Sequence, residues 1–324
     1  MNRSKVVNSF YDGSESGFGD FLRGSIYLYN TCEKHNIDFD IDISHHPINE
    51  FVFSDYKANY SKKEILCLST KTKEEFGDLN FYRNLNKTLF KFLVGVKNGN
   101  IKYIFSNFSQ IGTVVDKHIL SFINEKSNLS DDCCSWFQEK LSFSPFVVDS
   151  VSKSLHSENI MDYDLIHFRT GDDVSFLGRD NNNGPTNEEC FYICKKEFEN
   201  RGSNLPMVVI SDSNKLKSYI KTEAKKYGFP FHVFHMSSGH MQNRPSSLGE
   251  NEESISYTKD NLFYATFDMK LVSMAKTAKS YSVYSHGSGF FAWIAKIYKV
   301  PCWLQPFPKL DIGSKKVISK RFLF

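Results

Sequence analysis

The stretch "DLIHFRTGDD", residues 164–173, decides how this chain is read. Leu165, Ile166 and Phe168 surround His167 as in a strand buried on both faces, the pattern of a parallel sheet. The chain then passes through Arg169, Thr170, Gly171, Asp172 and Asp173. An arginine, a glycine and two acids at the end of an apolar strand are costly to bury. They fit the carboxyl end of a doubly wound sheet, where ligands bind. Arg offers several donors in a rigid fork suited to phosphate oxygens. Gly171 permits a turn, and Asp172 can orient the Arg or cap the next element. A structural Arg–Asp pair is the bland alternative.

Downstream of that stretch the sequence alternates. Apolar runs at 163–168, 206–211, 231–235, 280–285 and 301–305 read as strands. The segments at 187–200, 214–228, 260–278 and 289–299 carry helical spacing, and Gly228 marks a stop. Strands alternating with helices imply an α/β unit, a parallel sheet with helices on both faces. The first half starts in the same way. Strands are expected at 5–11, 37–43 and 101–107, a glycine-led helix begins at 17, and helices fill 74–95 and 115–157. A chain of 324 residues holds two domains comfortably. The boundary is set near 158, giving two Rossmann-like halves, 1–158 and 159–324, that face each other across a cleft.

Composition excludes several classes. Hydrophobic residues are 40% and charged residues 24%, as in a globular protein with sizeable cores. The formal charge of +3 gives no broad field for nucleic acid. The one basic excess, Lys309, Lys315, Lys316, Lys320 and Arg321 against Asp311, reads as a solvated tail or one folded back on the other domain. No window reaches the ~18 apolar residues of a membrane span, and the N-terminus has no apolar run of signal-peptide length. The seven cysteines are odd in number and irregular in spacing. That argues against a zinc site and for reduced thiols in a cytoplasmic compartment.

Four further motifs are weighed against plain roles. "GFGD" at 17–20 follows a strand and opens a helix, so Gly17 and Gly19 would let an anion approach its N-terminus. Leu22 stands where a dinucleotide fingerprint needs its third glycine, which disfavours a nicotinamide-linked oxidoreductase; Asp42 is what remains of that reading. "SHGSGF" at 285–290 could form a nest of backbone N–H groups at Gly287, Ser288 and Gly289, or an ordinary Ser cap. In "ISDSNKL" at 210–216, Asp212 or Ser213 caps a helix or faces the cleft edge. "DFDID" at 38–42 holds two D-x-D patterns, read as a solvated strand face rather than a metal site.

Together these pieces resemble the fucosyltransferase-like group of GT-B glycosyltransferases, which includes nodulation-type, alpha-1,6-, alpha-1,2- and protein O-fucosyltransferases. "HFRTGD" resembles their His-x-Arg-x-x-Asp signature, "GFGDFLRG" their N-terminal glycine segment, and "ISDSNKLKSYIKTEAKKYG" their second motif. "DMKLVSMAKTAKSYSVYSHGSGFFAWIA" resembles the third, and all four keep the family's order and spacing across nearly the whole chain. The resemblance implies a GT-B fold, with a GDP-sugar donor in the C-terminal domain and a glycan acceptor held largely by the N-terminal one. It implies that Arg169 holds the donor's β-phosphate and that His167 lies near the nucleotide. Gly17, Phe18, Gly19, Asp212, Ser213, Asp268, Gly287, Ser288, Gly289 and Phe290 would complete the donor site. Several relatives carry a second Arg where this chain has Thr170, which leaves less positive charge for the diphosphate.

The implied chemistry is inverting transfer of a sugar, L-fucose from GDP-fucose first, to an acceptor hydroxyl, with no cofactor and no metal. Arg169 with backbone donors would stabilise the leaving diphosphate. Asp20 and Asp172 are the candidate general bases, with Glu15 third. A xylose or rhamnose donor on the same fold is the alternative, and a glycan- or nucleotide-sugar-binding protein without turnover is the rival of another class.

Overall fold

The computed structural model describes residues 5–10, 17–57, 65–67, 102–105, 129–170, 185–236, 258–283, 288–307, 309–311 and 316–318. The chain divides into two compact units, Met1–Ser144 with Met241–Tyr257, and Pro145–His240 with Thr258–Phe324. The division falls between Ser144 and Pro145, ahead of the 158 expected from the sequence.

In the first unit, β1 (Lys5–Ser9), β2 (Asp38–Asp42), β4 (Ile65–Cys67) and β5 (Lys102–Phe105) form a parallel sheet in the order β2-β1-β5-β4. Helix α1 (Phe18–Lys34) joins β1 to β2. Its buried face, Phe18, Phe21, Leu22, Ile26, Leu28 and Tyr29, recurs at turn spacing. Of the stretch 115–157 expected to be helical, 115–128 lies outside the described residues; the rest is α2 (Asp131–Lys140), a break at β6 (Ser142–Phe143), and α3 (Pro145–Ser157). The cause is local. Pro145 is tolerated at the first helical position but pushes Ser144 out of the α region. The freed residues pair antiparallel with β3 (Val52–Phe53), at Val52↔Phe143 and Phe53↔Ser142. The helix expected at 74–95 lies outside the described residues.

The second unit is built around five parallel strands, β7 (Asp164–Arg169), β8 (Met207–Ser211), β9 (Phe231–His232), β10 (Thr277–Ser282) and β11 (Cys302–Pro306). They form one sheet in the order β11-β10-β7-β8-β9. Helices α4 (Asn187–Asn200) and α5 (Asn214–Tyr227) cover one face. Cys190, Ile193, Cys194, Leu216, Ile220 and Ala224 pack there on Ile166, Phe168, Met207 and Val209. The opposite face carries α6 (Lys259–Met274) and α7 (Gly289–Ile297). The Tyr163 hydroxyl donates to the Leu271 carbonyl of α6 at 2.6 Å, and Phe291 of α7 stacks on His167. Gly228 ends α5 with φ +71°, the left-handed conformation that glycine adopts without a Cβ penalty. Beyond the sheet, β12 (Lys309–Asp311) and β13 (Lys316–Ile318) pair antiparallel, so part of the basic tail is a hairpin.

The strand order fixes where a ligand can sit. From β7 the chain winds outward to β8 and β9, then returns to place β10 and β11 on β7's other side. The order therefore reverses between β7 and β10, and the crevice beyond their carboxyl ends is the binding position of such a sheet. Arg169 is the last residue of β7.

Candidate functional site

Register explains the arrangement at the end of β7. His167 pairs with Ser280 of β10 and Ile210 of β8, and Arg169 pairs with Ser282. One step further along β8 brings Asp212 level with Arg169. With a side-chain period of two, His167, Arg169 and Asp212 share the face covered by α6 and α7.

Arg169 Nη1 donates to Asp212 Oδ2 at 2.8 Å. The other carboxylate oxygen, Oδ1, accepts from the Thr170 backbone N–H at 2.8 Å and from the Thr170 hydroxyl at 3.0 Å. Asp212 therefore clamps two consecutive residues where the strand gives way to loop. Thr170, read from the sequence as a missing cation, is buried and serves this clamp. The Val283 N–H donates to the Arg169 carbonyl at 3.0 Å, holding the backbone from the β10 side. The Arg169 side chain stays 23% exposed, open enough to meet a ligand. Arg169 does form an Arg–Asp pair with Asp212. Asp172 and Gly287 lie outside the described residues, as does Glu15.

His167 is buried beneath Arg169. Its Nδ1 lies 2.8 Å from the Ser280 hydroxyl, and its ring stacks on Phe291 at 5.3 Å, with Phe290 at 6.2 Å. Burial drives its pKa down to about 4; the carboxylates of Asp212 and Asp268 oppose that shift and the Arg169 guanidinium adds to it. At neutral pH the imidazole is uncharged, a packed polar group within field range of all three charges.

Ser213 caps α5, its hydroxyl accepting from the Leu216 N–H at 3.1 Å, so the plain role weighed for it is present. Ser288 is the N-cap of α7, yet its side chain makes no capping bond. The first N–H groups of any helix lack intrahelical partners and attract anions, and α7 starts in the chain just after β10.

Asp268 sits on α6 with a partner the sequence did not suggest. His235 Nε2 lies 2.7 Å from Asp268 Oδ1, and the His235 ring stacks on Tyr264 at 4.5 Å. Asp268 is 33 residues from His235 in sequence, so no local pattern announces the pair.

In the first unit, Gly17 is the N-cap of α1 in extended backbone, with no side-chain cap bond. Phe18 is a core residue, edge-on to Phe10 at 5.6 Å, and Gly19 is buried beside it. Asp20 holds Arg23 Nη2 at 2.7 Å, which ties this candidate base into an ion pair. The acids of "DFDID" are not a solvated face. Asp40 is buried and takes Lys5 Nζ at 3.0 Å, with Lys140 Nζ at 3.8 Å. Asp42 is buried too and accepts from the Ser44 N–H at 2.9 Å, a turn role that removes it from a cofactor ribose. Among the described residues no cluster of His, Cys, Asp or Glu could hold a metal ion, and no helix is long and apolar enough to cross a membrane.

No family model matches the chain, and no curated protein matches it in sequence. Solved structures do match. The selenomethionine fucosyltransferase NodZ from Bradyrhizobium superposes with a TM-score of 0.52 at 9% identity, over 99% of this chain and 100% of that one. NodZ alpha-1,6-fucosyltransferase co-crystallised with GDP gives 0.51 at 10% identity, with the same coverage of 99% and 100%. A mutant of Arabidopsis thaliana FUT1 in complex with GDP gives 0.54 at 9% identity, over 99% of this chain and 75% of that one. At such identities the likeness establishes fold: the chain has the GT-B architecture of these fucosyltransferases.

Proposed function

We propose that the chain is a glycosyltransferase that moves a sugar from a nucleoside-diphosphate donor to a glycan hydroxyl, with GDP-fucose as the first candidate donor. The observation that carries this reading is Arg169, fixed by Asp212 at the reversal point of the second sheet and partly open to solvent. The fold it shares with solved fucosyltransferases, one co-crystallised with GDP and one soaked with GDP-fucose, supports the same assignment.

As the glycosidic bond breaks, negative charge gathers on the leaving diphosphate. A guanidinium already oriented by a carboxylate, together with helix N–H groups, meets that charge without reorganising. The acceptor hydroxyl attacks the opposite face of the sugar and inverts the anomeric carbon. No metal is needed for the leaving group in this scheme. The second unit takes the donor and the first the acceptor. Asp20 and Asp172 remain the candidate general bases; Asp20 is partly exposed and paired with Arg23, which would hold its carboxylate ionised. We place the protein in the cytoplasm, where its buried thiols stay reduced.

One observation favours a second reading. Thr170 spends both its N–H and its hydroxyl on Asp212, so the cation that several relatives carry there has a structural replacement. A GT-B transferase with another nucleotide sugar, such as a xylose or rhamnose donor, fits that change.

The test is a thermal-shift panel of GDP, UDP, ADP and NAD, together with donor hydrolysis and transfer assays. Preferential stabilisation by GDP and slow release of GDP from GDP-fucose are expected. Binding without hydrolysis or transfer would favour the inactive sugar-nucleotide-binding protein instead.

A further inference from the structure

Beyond β9, at the carboxyl edge of the second sheet, His235 is left with an unmet hydrogen-bonding atom. Its side chain is only 7% exposed. Nε2 faces Asp268 Oδ1 at 2.7 Å, and a carboxylate can only accept, so Nε2 carries the proton. In the neutral ring Nδ1 is then an acceptor. That atom is buried and has no hydrogen-bond partner among the described residues. Tyr264 stacks on the ring, and Phe267 meets it edge-on at 5.5 Å, so neither position nor tautomer is free to drift. A buried acceptor held in place without a donor is costly, and a native site that keeps one invites a ligand donor.

Geometry narrows what that ligand is. His235 lies three residues past the end of β9, and its contacts with Asp268, Tyr264 and Phe267 place it against α6, the helix on the same face of the sheet as His167 and Arg169. Asp212 holds Arg169, and the charge of Asp268 reaches His167 directly beneath that arginine. β9 lies two strands from β7, about 10 Å at the usual spacing. A diphosphate on Arg169 would carry its nucleoside over that distance.

We propose that His235 contacts the nucleoside of the donor, its Nδ1 accepting a hydrogen bond from a base N–H, an amino group or a ribose hydroxyl. The inference rests on the second unit being the nucleotide site. It names a specificity-determining residue that neither the motifs nor the fold comparison supplies.

Two substitutions separate contact from support. In His235→Asn the amide oxygen falls near the place of Nδ1, so the acceptor is kept and the Asp268 bond lost. In His235→Gln the amide nitrogen falls near Nε2, so the Asp268 bond is kept and the acceptor lost. Titration calorimetry on the full chain with GDP and with inorganic diphosphate reads the difference. His235→Gln should weaken GDP about 5- to 10-fold, the worth of one hydrogen bond, and leave diphosphate unchanged. His235→Asn should stay within about twofold of wild type on the same scale. Inosine diphosphate and 2′-deoxy-GDP then distinguish base from ribose: whichever analogue binds wild type more weakly than GDP should lose that handicap in His235→Gln.

Unchanged GDP affinity in His235→Gln overturns the proposal and leaves the transferase reading standing. So does a loss confined to His235→Asn, which would make His235 a support for Asp268. Wild-type protein that binds neither GDP nor diphosphate overturns both readings together.

Discussion

Truncating Arg169 separates a catalytic arginine from a structural one, and the hydrogen bonds around Asp212 set the size of each effect. Arg169→Ala removes one donor from Asp212 Oδ2, while Oδ1 keeps both bonds from Thr170. The lost pair is mostly buried, but Thr170 still satisfies the other carboxylate oxygen, so the stability cost should be that of one hydrogen bond, about 1 kcal/mol. For a unit of this size that corresponds to a fall in Tm of about 2–4 °C. Turnover should fall far more, by ~10²–10³, because a preorganised charge acts on the leaving group in the transition state. Arg169→Lys retains a charge but not the fork and should recover little of it. Asp212→Asn behaves differently. An amide can still accept from Thr170 on one side, but it turns an N–H₂ group toward the guanidinium on the other. Losing the charge-assisted bonds should cost about 2–3 kcal/mol and misplace Arg169 as well. Thermal denaturation and GDP-fucose hydrolysis, run on the same preparations, read both effects. If Arg169→Ala lowers Tm as much as Asp212→Asn while turnover stays within tenfold of wild type, the arginine is a structural clamp and the reasoning fails.

Activity should survive EDTA, since the proposed leaving-group stabilisation uses Arg169 and α7; complete loss restored by manganese would return the D-x-D acids to consideration. GDP should raise Tm more than UDP, ADP or NAD do, and stabilisation by UDP alone would refute the GDP-sugar donor. His167 titrates near 4 when folded against an ordinary 6.5, so the unfolded chain binds more protons between those values and stability should decline as pH falls from 6.5 toward 4. In His167→Phe, which keeps an aromatic ring against Phe291, chemical denaturation across that range should show a shallower pH slope than wild type; an unchanged slope would mean another group is responsible.

Much of the second unit was legible because its signals are local. "DLIHFR" and "PMVVIS" are continuous apolar runs bounded by polar turns, and a strand buried on both faces leaves such a run. Gly228 and the capping residue Ser213 mark the ends of one helix within a few positions of where the sequence puts them. Arg169 was legible for the same reason, being the first charged side chain after an apolar strand. What the sequence could not display is pairing over distance. Asp212 was read as a cap or a cleft residue and not as a partner of Arg169, because nearness in sequence is the only nearness a sequence displays. The observed bond spans 43 residues and follows from parallel register.

The acids of β2 show the same limit from the other side. Alternation of Ile37, Phe39, Ile41 and Ile43 with Asp38, Asp40 and Asp42 implies one wet face, and for an edge strand that inference is sound. It fails here because elements remote in sequence bring charge to that face: Lys5 from the neighbouring strand and Lys140 from the end of α2. A buried Asp40 with two lysines is a structural ion cluster, since removing either lysine would leave a carboxylate short of its countercharge. Lys5→Met should therefore destabilise the first unit without touching nucleotide affinity in the second. Denaturation would detect the first effect and calorimetry with GDP the second. A loss of GDP affinity in that variant would mean that these acids serve the donor after all, and the division of labour between the two units would have to be redrawn.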